Sequence, residues 1–531
     1  MTPTTMISRR KLLITTAMAT PVMVLGVPLL AQEPQRGGTL VQLVEDTPRH
    51  FNPAVQSGIA TGEPGTQIFA SLLRFDEGFE PQPYLAESWE MSQDGLKVTV
   101  TLVENATFHD GEPITSEDVA FSIETVKKYH PFTAMFAPVD SVDTPDARTA
   151  VINLGRPHPA IYLAMSSQLL SIIPKHIYGD GQDIPSHPRN TENVVGSGPF
   201  RLTEFNRGQN YILERYENFF IKERPYLDRI VTRIIEDSSA RAIAMENGEA
   251  QLTAFESNPR DIKRMEANPN LEVTSEGYAG IGPLVWLAFN TKKAPLDDKR
   301  VRQAIACAVD RDFIVNALLL GTAAPTLNGI HPGSPFYNPD VDPYALDLDR
   351  ANALLDEAGH APDANGTRFS LVIDYGSEPT KPMAEYIRPA LKKIGIDVSV
   401  RSAPDFATWA QRISNYDFDM TWDTVFNWGD PVIGVNRTYQ SSNIRPGVIW
   451  SNTQQYESQK VDEIIAAANV ENDPEKRKQL YFDMQEILND DLPLYPVYTV
   501  PYHTINSTRV GNPPRGIWAT CAPLDRVFLK S

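Results

Sequence analysis

Only two of the 531 residues are cysteine, Cys307 and Cys521. So few thiols exclude a disulfide-built scaffold and a thiolate metal cluster. Cys307 sits in a helical apolar pattern with Val301, Ile305 and Val309, which predicts a small buried filler. The nine histidines are dispersed and none are paired at ligand spacing, so no metal is expected. Catalytic signatures are missing as well. There is no G-x-S-x-G elbow, no H-E-x-x-H helix and no phosphate loop, and Gly277, Gly280 and Gly282 have the wrong spacing for a dinucleotide fingerprint. Neither an enzyme nor a cofactor is expected. Cations are short too: 48 Lys and Arg stand against 67 Asp and Glu, a formal charge of −19. Nucleic-acid binding needs clustered cations, so that partner class is excluded. The acidity suits a soluble protein that stays off anionic lipid. Internal repeats and low-complexity linkers are also missing.

What the chain does have is length. With 41% hydrophobic and 22% charged residues, 531 residues suffice for two or three domains with large cores. The N-terminus has Ser8-Arg9-Arg10, then an apolar stretch from Leu12 to Leu30, then Ala31. Residues 1–31 read as an export signal of twin-arginine type. Thr15, Thr16, Pro21 and Pro28 lower its hydrophobicity and argue against a membrane span. No cysteine lies near the cleavage region, so the expected product is a free periplasmic protein and not a lipoprotein.

Local patterns predict mixed α/β structure. Leu96, Val98, Val100 and Leu102 alternate with polar residues, which is the period of a half-buried strand. Asp94-Gly95 before them is a tight-turn signal, so Ser88–Met91 and Leu96–Leu102 read as a hairpin. Thr115 with Asp118 opens a helix carrying Val119, Ile123 and Val126. Asp473-Pro474 opens another with Leu480, Met484, Ile487 and Leu488 on one face. Asp298 caps a helix expected to run to about Gly321, and Asp347 or Asp349 one that stops at Gly359. Tyr211–Glu214 and Phe369–Asp374 are strand candidates.

The wording of these segments goes further. LAESW, FHDGEPITSEDVAFS, SIIPKHIY, GSGPFRLTEFNRGQNYILERYENFF, RPYLDRIVTRIIED, WLAFNTKKAPLDDKRVRQAIACAVDRDFIV and DLPLYPVY follow one another over nearly the whole mature chain. In this order they resemble family 5 of the bacterial extracytoplasmic solute-binding proteins. The resemblance implies an α/β fold with two lobes, the periplasmic-binding-protein or Venus-flytrap fold, and an extra subdomain in the first lobe. It places the first-lobe core at residues 37–60, 190–283 and 500–531, the accessory subdomain at 61–189 and the second lobe at 284–499. Crossings would lie near Pro283–Ala288 and Tyr498–Pro501. The implied role is a periplasmic, monomeric receptor that hands a small solute to an inner-membrane ABC permease. Gly196-Ser197-Gly198 is a family phrase read as backbone geometry.

Candidate ligand residues come from two segments. Residues 416–450 set Trp422, Trp428 and Trp450 among Asp423, Asn427, Asp430 and Arg437. Aromatic walls with a few polar groups line small-molecule clefts. Trp422 reads equally as core or wall, Trp428 as wall, and Asp430 as the cap of the Gly429-Asp430-Pro431 turn. Residues 43–65, with FNP, supply Glu45, Thr47, Arg49 and Phe51. In the dipeptide receptors an aspartate in the first of these segments holds the peptide's α-amino group, and here Asn427 stands in its place. The arginine for the peptide carboxylate is matched by Glu378, an acid. Both charge clamps therefore depart from the family pattern. Two ligand classes stay open: a peptide-like solute, or an oligosaccharide or sugar–amino acid conjugate stacked on Trp428 and bonded to Asn427. The rival from another class is an extracytoplasmic hydrolase using Asp423 or Asp430 with Glu378; a sensor subunit is a further alternative.

Overall fold

The structure is a computed structural model that describes residues 34–376 and 378–530. The expected export signal lies outside the described residues, and so does the side chain of Glu378. Among the described residues no helix is long and apolar enough to cross a membrane.

The hairpin forms where alternation places it. Ala86–Met91 pairs antiparallel with Lys97–Leu102, and Val98, Val100 and Leu102 turn into the core. Gly95 makes the turn at φ +69°, a left-handed conformation that costs glycine nothing. Val139–Asp146 and Thr149–Leu154 complete a four-stranded antiparallel sheet. Helix Ser116–Tyr129 starts where the Thr115 backbone N–H donates to the Asp118 carboxylate at 2.9 Å. It buries Val119, Ile123 and Val126.

Two larger sheets carry the lobes. The first has seven strands, in the spatial order Leu271–Thr274, His503–Ser507, Leu252–Glu256, Thr39–Val44, Arg229–Ile234, Asn210–Arg215, Phe200–Asn206. Its middle strand, Thr39–Val44, runs parallel to both neighbours. The second has five strands, in the order Ile396–Arg401, Phe369–Tyr375, Met420–Phe426, Pro283–Phe289, Leu494–Thr499. The chain thus leaves the first sheet after Thr274, enters the second at Pro283 and returns between Thr499 and His503. One apolar core unites the first large sheet with the four-stranded sheet through Leu40, Phe51, Val98, Ile123 and Trp518. The second lobe packs both faces of its sheet: Leu287, Ile373 and Trp422 on one side, Leu284, Trp286 and Val425 on the other. Cys307 is a buried free thiol in the former cluster, and Cys521 is a buried free thiol in the first-lobe core.

Helix Pro474–Asp491 is capped by Asp473, whose carboxylate accepts the N–H groups of Glu475 and Lys476. The helix expected from Asp298 to about Gly321 is interrupted. It runs from Lys299 to Ala308, where Val309 turns extended and Asp310 caps a fresh start by accepting the Phe313 N–H at 2.9 Å. A wide π turn, Ile314–Leu318, follows. Asp310 reads as one more polar position in the periodic pattern, so the second cap is hidden in the sequence. At Gly196-Ser197-Gly198 two backbones meet. A Cβ on Gly196 would sit 1.9 Å from the Ile68 carbonyl oxygen and one on Gly198 2.4 Å from that of Gln67. The Ser197 hydroxyl ties the contact, accepting from Ala70 N–H and donating to the Ile172 carbonyl.

Candidate functional site: a cavity walled by both lobes

Strand Met420–Phe426 delivers the site. At its end Trp428 and Gly429 both take left-handed backbone, φ +52° and +77°. The Asn427 and Trp428 N–H groups donate to the Gly282 and Ile281 carbonyls, which fixes the bend. Asp430 then caps the short turn Pro431–Gly434 by accepting the Val432 N–H at 2.9 Å. Its carboxylate also receives both terminal nitrogens of Arg477 at 2.7 Å. Burial alone would push the Asp430 carboxyl up, but the Arg477 guanidinium holds it below the usual carboxylate range. Such a buried fork-on-fork pair fixes geometry as well as charge.

The bend throws Trp428 out of the second lobe. Its ring lies 5.0 Å from Phe132, just past the end of helix Ser116–Tyr129, and 5.6 Å edge-to-face from Phe426. Trp428 and Ile433 pack into the first-lobe core. Beside this contact lies a cavity of about 720 Å³. Gln56, Ser57, Gly58 and Phe132 wall it on one side, and Phe426, Trp428, Arg437 and Trp450 on the other. Trp450 is 39% exposed and stacks on Phe406 with centroids 5.8 Å apart.

Of the residues expected at the site, Trp428, Arg437 and Trp450 are therefore brought to one cavity. Others are placed elsewhere. Trp422 is fully buried in the second-lobe core, so the reading of it as a ligand wall is corrected. Phe51 is likewise core, packed edge-to-face 4.9 Å from Phe205 and 5.7 Å from Tyr211. Asn427 is buried with both ends of its amide engaged. Its Oδ1 accepts the His331 N–H at 2.7 Å and its Nδ2 donates to the Gly329 carbonyl at 3.3 Å. The position matched to the ammonium clamp pins the loop at 329–331, which corrects its expected bond to ligand. Glu45 stands 3.3 Å from the Arg241 guanidinium, and Thr47 and Arg49 also lie outside this cavity wall. Asp423 is buried, and burial pushes its carboxyl up to about 7 against the Thr424 N–H that bonds it. Asp430, one of the acids named in the hydrolytic alternative, is committed to Arg477. Among the described residues no group of three His, Cys, Asp or Glu could hold a metal ion.

Sequence reasoning names none of Gln56, Ser57, Gly58 and Phe132, although the first three lie within the candidate segment 43–65. Gly58, at φ +109°, precedes helix Ile59–Ile68, and Phe132 follows His130-Pro131 past a helix end. Both are legible only as loop positions.

Residues 80–446 match the middle region of the bacterial extracellular solute-binding proteins, family 5. Heme-binding protein A of Haemophilus influenzae is 29% identical over 488 residues, covering 86% of each chain. The dipeptide-binding protein of Escherichia coli is 26% identical over 483 residues, covering 86% of this chain and 88% of the relative. Among solved structures, the ABC transporter-associated periplasmic binding protein DppA from Helicobacter pylori, in complex with the peptide STSA, superposes with a TM-score of 0.78. It is 25% identical and covers 94% of this chain and 99% of that one. The fold is the two-lobed α/β fold of these binding proteins, and the chain belongs to the bacterial extracellular solute-binding proteins of family 5.

Proposed function

We propose that this solute-binding protein serves an ABC importer and takes a peptide-like small solute into the cavity beside the Phe132–Trp428 contact. The observation that carries the reading is that one cavity draws its walls from both lobes, with Trp428 of the second lobe seated against the first. A guest there touches both halves and so favours the closed arrangement. A closed form that binds ~10⁴-fold better than the open one moves a 1:99 equilibrium to 99:1. The peptide class is favoured by relatives whose names record peptides. The lobe boundaries given above, with crossings near Pro283 and Tyr498, and export to the periplasm by the twin-arginine route belong to the same proposal. The protein acts in it as a monomer that binds without reaction.

Trp428→Ala tests the cavity. Loss of the ring is expected to weaken binding of a tri- to pentapeptide library by about 1–2 kcal/mol. Isothermal titration calorimetry on folded variant and parent reads this directly. Equal affinities would remove the ring from the ligand wall.

A further inference from the structure

The chain carries a formal charge of −19, yet the charged residues among those described on the cavity wall are cationic. Among the described residues two arginines, Arg437 and Arg445, line it, and no aspartate or glutamate does. Arg437 is part-buried, and among the described residues only its Nε finds a partner, donating to the Gly434 carbonyl at 3.2 Å. Its guanidinium carbon lies 5.6 Å from the Phe132 ring centroid, close to the inter-lobe contact. No carboxylate among the described residues comes within ion-pair distance of it. The nearest charge partner, Asp423, sits off the cavity wall and is bonded to the Thr424 N–H. Elsewhere the terminal nitrogens of the buried arginines are engaged: Arg241 and Arg477 pair with Glu256 and Asp430, and Arg302 and Arg311 donate to backbone carbonyls. A guanidinium withdrawn from water without a partner is costly, and its planar fork fits a carboxylate or phosphate.

We propose that Arg437 is the specificity-determining residue of the cavity, and that the captured solute presents an anionic group, carboxylate or phosphate, to its two terminal nitrogens, with Arg445 at the rim. Phe132, Trp428 and Trp450 then hold the apolar body of the same guest. The inference rests on the receptor reading above but not on the guest being a peptide. It moves the anion contact away from Glu378, where an acid stands.

The test compares the parent, Arg437→Gln and Arg437→Lys by calorimetry against three probes: a tri- to pentapeptide library as free acids, the same library as C-terminal amides, and a set of small phosphomonoesters. Thermal melting confirms that each variant folds. Free acids that bind about 10- to 100-fold more tightly than amides, with the advantage lost in Arg437→Gln and partly kept in Arg437→Lys, support a carboxylate guest. Phosphomonoester binding lost in Arg437→Gln, with no peptide bound, supports a phosphate guest and sinks the peptide reading alone. Amides that bind as well as acids, with Arg437→Gln unchanged, overturn the inference and leave the peptide reading standing. Absence of any difference between the parent and Arg437→Gln across all three probes also overturns it.

Discussion

Asp430→Ala is expected to lower the free energy of unfolding by about 3–5 kcal/mol, the scale for removing one partner of a buried ion pair. Arg477 would be left as an uncompensated buried cation. Its Nε bond to the Ala468 carbonyl and its position over the Phe336 and Tyr481 rings do not replace the carboxylate. The substitution also strips the cap from Pro431–Gly434, the turn that sets Trp428 against the first lobe. Asp430→Asn keeps an acceptor for the Val432 N–H and so separates cap from charge. Asp430→Leu with Arg477→Met, which removes both charges, should recover most of the loss. Urea unfolding followed by tryptophan fluorescence measures all four proteins. A change below about 1 kcal/mol in Asp430→Ala would mean that the pair is solvated.

Glu63 should make the protein less stable as pH rises. It is buried in helix Ile59–Ile68, against the Gln42 side-chain amide at 3.2 Å and the Thr520 hydroxyl. Burial pushes its carboxyl from 4.5 up to about 7, with Asp46 and Glu256 adding to the rise and the Thr520 hydrogen bond opposing it. The folded chain therefore holds a proton that the unfolded chain releases. The stability this proton supplies is fully present below pH 4.5 and is lost as pH rises through about 7. The loss is on the order of 3 kcal/mol, since each tenfold change in proton affinity is worth about 1.4 kcal/mol. Glu63→Gln mimics the protonated form. It should match the parent near pH 4.5 and exceed it at pH 8 by roughly that amount. Parallel pH curves for the two proteins would show that Glu63 is charged in the fold without penalty. Asp423, also pushed up to about 7, adds a slope of the same sign that Glu63→Gln leaves in place.

Local signals in the sequence locate the elements well, and the site poorly. Alternation at Leu96–Leu102, the Thr115–Asp118 box and the Asp473 cap each act within a few residues, so the sequence carries their whole cause. The helix after Asp298 stops short of its periodic pattern because Asp310 competes as a second cap, a choice made by tertiary packing. Trp422 and Trp428 lie six residues apart in one aromatic segment and look alike as text. Strand register decides between them: Trp422 faces Leu287 across the sheet and enters the core, whereas Trp428 comes after the strand ends. Asn427 stands at the position matched to the ammonium clamp, yet packing against Gly329 and His331 consumes its amide. Gln56 and Phe132 reach the cavity from nearly 300 residues or more before Trp428, a distance no local pattern spans.

Native mass spectrometry of stripped protein, incubated with the tri- to pentapeptide library, bears most directly on whether the cavity captures a solute unaltered. The prediction is one guest per chain, recovered intact when the protein is denatured and absent from Trp428→Ala at the same concentration. Shortened peptides in the recovered fraction, or no adduct on the parent protein, would contradict it.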